Sequence, residues 1–151
     1  MAVRADFYMI AGKAQFVEQP LLLVCQLAVK AMAANQPCLI FCESAEQADF
    51  LDDLLWDFDD DAFVPHQIVG TDEDEEVTPV LLVPPGAETP MRGLVINLRA
   101  DLPPPGYERV LEIVPADQAA RDPARRRWLE YKQLGIELEG VFRPTGRWTI
   151  S

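Results

Sequence analysis

The sequence has few of the residues on which common catalytic and cofactor-binding motifs depend. Its eight glycines are scattered along 151 residues, and neither a GxGxxG nor a GxxxxGK phosphate-binding loop occurs. His66 is the only histidine, and no serine or cysteine lies near it in the sequence to form a nucleophile–base pair. The acidic run Asp72–Glu76 is typical of a solvated loop. We therefore expect no catalytic site and no cofactor.

Cysteine is also scarce. Three cysteines, an odd number, suit a reducing compartment better than a disulfide framework. Cys38 and Cys42 are four residues apart in a predicted strand. They share a face of that strand but lie about 13 Å apart, too far to bind one metal ion together. We expect them to be buried structural thiols, and we expect no metal site.

Long hydrophobic runs are absent. The longest apolar stretches, such as Pro20–Cys25 and Pro79–Pro85, are much shorter than the ~20 residues that span a bilayer. The chain begins directly with a strand-like pattern and shows no signal-peptide cleavage region. We therefore expect a cytoplasmic protein that does not bind a membrane.

Positive charge is scarce and unevenly placed. Thirteen lysines and arginines face 25 acidic residues, a net charge of −12, and no lysine or arginine occurs between Lys30 and Arg92. Nucleic acid would be repelled, so strong direct binding to it is not expected. Several cations instead cluster near the carboxyl terminus: Arg121, Arg125, Arg126, Arg127 and Lys132. A basic patch on a strongly acidic chain needs a functional explanation.

The length and composition indicate one soluble globular domain spanning residues 1–151. Hydrophobic residues make up 49% of the chain and charged residues 25%, an ordinary balance for such a domain. The predicted strands are Asp6–Ile10, Cys38–Cys42, Phe63–Val69, Val80–Val83, Leu94–Leu98, Val110–Val114, Ile136–Phe142 and Trp148–Ile150.

Three helices are expected between these strands. The first covers Glu18–Asn35, the second begins after Ser44 with Gln47 completing a capping box, and the third has Asp122 as its N-cap and ends near Gly135. This order predicts an α/β fold, a three-layer α/β/α sandwich with a mixed, largely parallel sheet resembling nucleotide-binding folds.

The last helix places basic and aromatic side chains together. Arg125, Trp128 and Lys132 lie at i, i+3 and i+7, which is one stripe of a helix, and Arg121 just precedes it. Cations beside an indole fit an acidic peptide that ends in an apolar side chain and a free carboxylate. The alternative is a solvated basic helix with its tryptophan in the core. The neighbouring stripe is expected to be buried, with Arg127 snorkelling: Ala124, Arg127, Tyr131 and Leu134.

A second feature is a group of large apolar residues around the acidic turn DFDDD. Trp56 precedes the turn, and Phe63 and Val64 follow it. Aromatic side chains at a helix end and on a proline-bearing edge strand fit an anchor for another protein. Simple core packing is an equally good interpretation of the pattern.

In their order and spacing, several segments resemble the chi subunit of bacterial DNA polymerase III holoenzyme, over nearly the whole chain. The pair formed by a helix ending in LLW and the segment FVPH is the most specific part. The matching segments are FYMI, CLIFCESAEQADFLDDLLW, AFVPH, LVINLRADLP, EIVP and ARRRWLEYKQLGI.

The resemblance implies a non-catalytic clamp-loader accessory subunit with a three-layer α/β fold that holds no nucleotide. Its implied partners are a psi subunit and the acidic C-terminal tail of single-stranded DNA-binding protein. By position, the tail site would comprise Val114, Arg121, Arg125, Trp128 and Lys132. The psi-subunit interface would include Trp56, Phe63 and Val64.

Two other functions are consistent with parts of the sequence. An α/β enzyme, or a nucleotide- or anion-binding domain, could use the basic C-terminal helix, although no glycine-rich turn or acid–base pair supports it. Direct DNA binding through Arg121–Arg127 is a third possibility, which the net charge disfavours.

Overall fold

A computed structural model describes residues 3–59, 63–70 and 74–141. The strands are β1 (Arg4–Met9), β2 (Cys38–Phe41), β3 (His66–Ile68), β4 (Val80–Val83), β5 (Leu94–Asn97), β6 (Arg109–Val114) and β7 (Glu137–Val141). The helices are α1 (Ala14–Glu18), α2 (Pro20–Ala33), α3 (Ala45–Asp57) and α4 (Asp122–Gln133), with a 3₁₀ turn at Gln118–Ala120. The strand predicted at Trp148–Ile150 lies outside the described residues.

The strands form one seven-stranded sheet in the order β3-β4-β2-β5-β6-β1-β7. Every pairing among the described strands is parallel. The predicted α/β fold with a largely parallel sheet is confirmed, but the antiparallel part of a mixed sheet is not found in the described chain. The connections between successive strands let every strand run in the same direction. Three of them, residues 69–79, 84–93 and 98–108, contain no helix among the described residues.

Helices cover both faces of the sheet, which gives the molecule three layers. On one face, α2 and α3 pack their buried side chains, such as Leu23 and Leu51, against the strands. On the other face, Tyr131 of α4 packs with Phe7 of β1. Helix α3 packs against β3 at one edge of the sheet, whereas α4 packs against β6 and β7 near the other edge. The two helices therefore lie on opposite faces and towards opposite edges.

The amino-terminal helix is divided in two, which corrects the prediction of one helix over Glu18–Asn35. Helix α1 ends at Glu18, and Pro20 begins α2. Proline is favoured in the first turn of a helix because its fixed φ angle suits that turn and its missing N–H group is not needed there. Helix α2 ends before Asn35, which adopts a φ of 56°.

The start of α3 confirms the predicted cap. The Ser44 hydroxyl oxygen accepts a hydrogen bond from the Gln47 backbone N–H at 3.0 Å. The Gln47 side-chain oxygen accepts from the Glu43 N–H at 2.8 Å, so the return bond reaches the residue before the cap. Ala48 and Leu51, three residues apart on one face of α3, are buried.

Helix α4 begins one residue earlier than predicted. Asp122 is its first residue and not its cap, and Arg121 occupies the flanking position. At the other end, Gly135 adopts a φ of 78°, as expected of a terminating glycine. Leu134 follows the last helical residue and is 66% exposed, so the prediction that it is buried is wrong.

Two kinds of feature are absent from the described residues. None of the described helices is long and apolar enough to cross a membrane. Within residues 3–59, 63–70 and 74–141, no three histidine, cysteine or acidic side chains are arranged to hold a metal ion.

The three cysteines are fully buried and unpaired with one another. Burial raises the pKa of Cys25, Cys38 and Cys42 to about 12. The folded chain therefore keeps thiol protons that the unfolded chain releases above about pH 8.5. Stability from these groups is present below that pH and is lost as the pH rises towards 12.

We expect the melting temperature to fall continuously between about pH 8.5 and pH 11. Differential scanning calorimetry across that range measures the fall, and replacing all three cysteines with alanine should make the curve flatter, at a lower starting stability. A melting temperature that stays constant up to pH 11 in the native chain would contradict the raised pKa of the three thiols.

Candidate protein-interaction sites

The outward face of α4 carries cations beside a half-buried indole. Arg125 and Lys132 are exposed, and Trp128 is intermediate between core and surface. One side of the Trp128 ring packs edge-on against Phe7, with ring centroids 5.1 Å apart and an interplanar angle of 70°. The indole is therefore held in place by the core and remains partly accessible. We call Arg125, Trp128 and Lys132 the basic stripe.

The side chain of Arg121, one turn before Arg125, is engaged by the backbone. Its Nε donates to the Pro115 carbonyl oxygen at 3.0 Å, and its Nη2 donates to the Ala116 carbonyl oxygen at 3.3 Å. These bonds hold the guanidinium over the segment that follows β6. Arg125 Nη1 lies instead 3.5 Å from an Asp122 carboxylate oxygen, an exposed pair within the first turn of α4.

Val114 is more buried than its expected place in the tail site requires, and Leu129, which was not predicted as a site residue, is exposed. Val114, the last residue of β6, is 1% exposed and belongs to the same hydrophobic cluster as Trp128. Its side chain packs beneath the basic stripe and offers no exposed surface to a ligand. Leu129 is 43% exposed and lies four residues after Arg125 and three before Lys132. That spacing could have identified Leu129 as the apolar contact of this face.

A buried polar network fixes α4 to the sheet. Glu112 of β6 is 0% exposed, and its carboxylate accepts from Arg127 Nε at 2.9 Å, from the Tyr131 hydroxyl at 2.6 Å and from Asn97 Nδ2 at 2.8 Å. Arg127 is therefore an internal partner of a carboxylate, which corrects the expectation that it snorkels to solvent. The one sequence signal for this network is a single glutamate, Glu112, in the otherwise apolar run Val110–Val114.

The network shifts the protonation of its members. Burial raises the pKa of Glu112, and the charge of Arg127 with the hydrogen bonds from Asn97 and Tyr131 opposes that shift. Burial, followed by the nearby Glu112 carboxylate, raises the pKa of Tyr131. The phenol therefore remains a proton donor to Glu112 throughout the physiological pH range.

A pair of exposed aromatic rings lies at the end of α3. Trp56 is 56% exposed and Phe63 is 62% exposed, and their ring centroids are 5.8 Å apart. We call these two residues the aromatic patch. Large apolar side chains that remain this exposed are typical of surfaces that bind another protein.

His66 supports the aromatic patch from below. Its side chain is fully buried, and its ring centroid lies 5.1 Å from that of Trp56. Nδ1 lies 2.6 Å from the Val64 carbonyl oxygen, and Nε2 lies 2.9 Å from Asp52 Oδ1. The histidine thus joins α3 to the chain leading into β3. Val64, 1% exposed, is in the core, so its side chain lies beneath the patch.

The carboxyl edge of the sheet is where α/β proteins usually bind nucleotides. A cavity of about 560 Å³ lies there, lined in part by Phe41, Val83 and Arg99. Arg99 donates from Nε to the Cys42 carbonyl oxygen at 2.9 Å and from Nη2 to that of Val83 at 2.8 Å. Its guanidinium lies 4.8 Å from the centroid of the Phe41 ring. Arg99 is thus engaged by the protein itself, and this disfavours a nucleotide or anion site at this position.

Comparison with solved structures identifies the architecture. The C-terminal domain of the DEAD-box protein Dbp5 superposes with a TM-score of 0.57 at 17% sequence identity, covering 93% of this chain and 90% of that domain. At this level of identity the likeness concerns the fold alone.

Comparison of sequences identifies the family. The DNA polymerase III chi subunit family, HolC, matches residues 2–139. The DNA polymerase III subunit chi of Pseudomonas aeruginosa is 33% identical over 138 residues, which cover 90% of this chain and 94% of that protein. The subunit chi of Haemophilus influenzae is 31% identical over 140 residues, covering 91% and 93%. The chain therefore belongs to the DNA polymerase III chi subunit family.

Proposed function

We propose that this chain is a non-catalytic, cytoplasmic accessory subunit that links the clamp loader of DNA polymerase III to single-stranded DNA-binding protein. Membership of the chi family supports the broader part, an accessory role in DNA replication. The finer part is that a psi subunit binds the aromatic patch and that the acidic C-terminal tail of single-stranded DNA-binding protein binds the basic stripe.

The observation that carries the proposal is the exposed, oriented basic stripe on α4. Arg125 binds the terminal carboxylate of the tail through its paired N–H donors. Lys132 attracts the acidic residues that precede this end, and Trp128 with Leu129 provides the apolar surface for its last side chain. Arg121 acts at the edge of the site, since its donors already bind the carbonyl oxygens of Pro115 and Ala116.

The positions of the two surfaces favour simultaneous binding. The aromatic patch adjoins β3 at one edge of the sheet, and α4 packs on the other face near β6 and β7. Four strand spacings separate β3 from β6, a distance of about 19 Å. Two partners of modest size therefore have separate places to bind.

Replacing Arg125 with alanine should weaken binding of the tail peptide by about tenfold to a hundredfold, because a hydrogen bond to a charged group contributes about 1.5–3 kcal/mol. Isothermal titration calorimetry with the isolated tail peptide measures the change. Arg126→Ala provides the matched control, since Arg126 is the adjacent exposed arginine and points about 100° away around the helix.

Added salt should also weaken binding of the tail to the native chain, because exposed ion pairs are screened. Equal losses for Arg125→Ala and Arg126→Ala would indicate general attraction to a basic helix and not a defined carboxylate site. Unchanged affinity in Arg125→Ala would show that the tail binds elsewhere.

A further inference from the structure

Carboxylates of α3 border the aromatic patch. Asp49 and Asp53 precede Trp56 by seven and three residues, so they lie on the same face of the helix as the indole. Both are exposed, as is Asp57, which follows Trp56 directly. None of the ion pairs formed among the described residues involves these three carboxylates. The rim of the patch therefore carries negative charge that the described chain does not neutralise through ion pairs.

The next two cations after the patch along the chain, Arg92 and Arg99, are engaged elsewhere. No lysine or arginine occurs between Lys30 and Arg92, an interval that contains all of α3 and the patch. Arg92 donates to the backbone carbonyls of Thr78 and Pro79 at 2.8 and 3.1 Å. Arg99 likewise donates to strand-end carbonyls. A partner that covers the patch must therefore carry positive charge itself. An acidic partner would place its own carboxylates against those of α3.

We propose that the segment docking on the aromatic patch is basic as well as apolar. Its apolar side chains pack on Trp56 and Phe63, and its lysines or arginines lie beside Asp49 and Asp53. The inference rests on the proposed role of the patch in binding a partner subunit, and it adds the charge of the partner's segment. Charge complementarity of this kind speeds association and excludes wrong partners.

The same charges would separate the two ligands of the molecule. An acidic tail is attracted to the basic stripe on α4 and is repelled by the carboxylates on α3. A basic segment is attracted to the carboxylates on α3 and is repelled by the basic stripe. Specificity then arises from repulsion at the wrong surface as well as attraction at the right one.

The test uses two synthetic peptides that share the same leucines and differ only in carrying lysines or glutamates at the other positions. Fluorescence anisotropy of each labelled peptide is measured against the full chain at physiological ionic strength. Three variants are compared with the native chain: Trp56→Ala, the double variant Asp49→Lys with Asp53→Lys, and a control, Glu130→Lys with Glu137→Lys. Both control residues are exposed and lie on α4 and β7, so the control changes the net charge equally at the far edge of the sheet.

The lysine peptide should bind about tenfold more tightly than the glutamate peptide, because several individually weak, exposed charge pairs act together. The α3 double variant should abolish that preference, the control should retain it, and Trp56→Ala should weaken binding of the lysine peptide. Equal binding of both peptides, each dependent on Trp56, would overturn the basic preference and leave the docking role of the patch intact.

Two other outcomes would overturn the proposal in different ways. Binding of the lysine peptide that is unaffected by Trp56→Ala would remove the patch as a docking surface, and with it this part of the proposed function. A dimer of the native chain in sedimentation velocity, lost in Trp56→Ala, would show that a second copy of this chain covers the patch, with its basic α4 as the source of positive charge.

Discussion

Replacing Glu112 with alanine should lower the free energy of unfolding by about 3–5 kcal/mol, the loss typical when one member of a buried ion pair is removed. The substitution leaves the Arg127 guanidinium buried without its carboxylate, and it also removes the acceptor for Asn97 and Tyr131. Urea denaturation followed by circular dichroism measures the change.

Two variants test whether the loss comes from the unpaired charge. Glu137→Ala removes an exposed carboxylate from β7 and should change stability by less than about 0.5 kcal/mol. A double variant, Glu112→Leu with Arg127→Met, should recover part of the stability because no unpaired guanidinium remains in the core. A Glu112→Ala protein as stable as the native chain would show that the network contributes little.

Replacing Trp56 with alanine should weaken binding of a psi subunit by about thirtyfold or more, since an anchoring tryptophan at the centre of an interface contributes about 2 kcal/mol or more. The indole provides both the exposed surface and the contacts to Phe63 and His66. Calorimetry with a purified psi subunit measures the loss, and tail-peptide affinity, measured in parallel, should be unchanged.

Phe50→Ala is the matched control for this experiment. Phe50 is an equally exposed aromatic residue of α3, 60% accessible, but its position is rotated by about 120° around the helix from Trp56. It should therefore have a small effect. Loss of both partners in Trp56→Ala would indicate misfolding, and equal losses in the two variants would show that the interface covers a wider face of α3.

The buried strands could be predicted from the sequence because both of their faces are covered by other elements. The apolar runs at Cys38–Phe41 and Val80–Val83 showed this signal directly. The order of the strands and the parallel pairing of all the described strands could not be predicted, since they depend on contacts between distant segments. Pro20 is a local signal for the start of a new helix. The apolar periodicity nevertheless led to the prediction of one continuous helix.

The candidate sites were predictable where helical spacing alone decides the arrangement. Arg125, Trp128 and Lys132 share a face of α4 because of their spacing. The burial of Val114 and the direction of the Arg121 side chain depend on the path of the segment between β6 and α4. Helical spacing does not describe that path. The partners of Glu112 come from two other elements, β5 and α4, at least 15 residues away in the chain, so no local pattern could reveal them.

The placement of α3 and α4 on opposite faces of one sheet has a consequence for how long an assembly lasts. If each helix holds its own partner, release from one surface leaves the chain tethered through the other, and the next encounter is intramolecular. Effective concentrations for such rebinding reach the millimolar range for short connections. Two individually weak contacts would then give a durable bridge, while either partner could still exchange without dissolving the whole assembly.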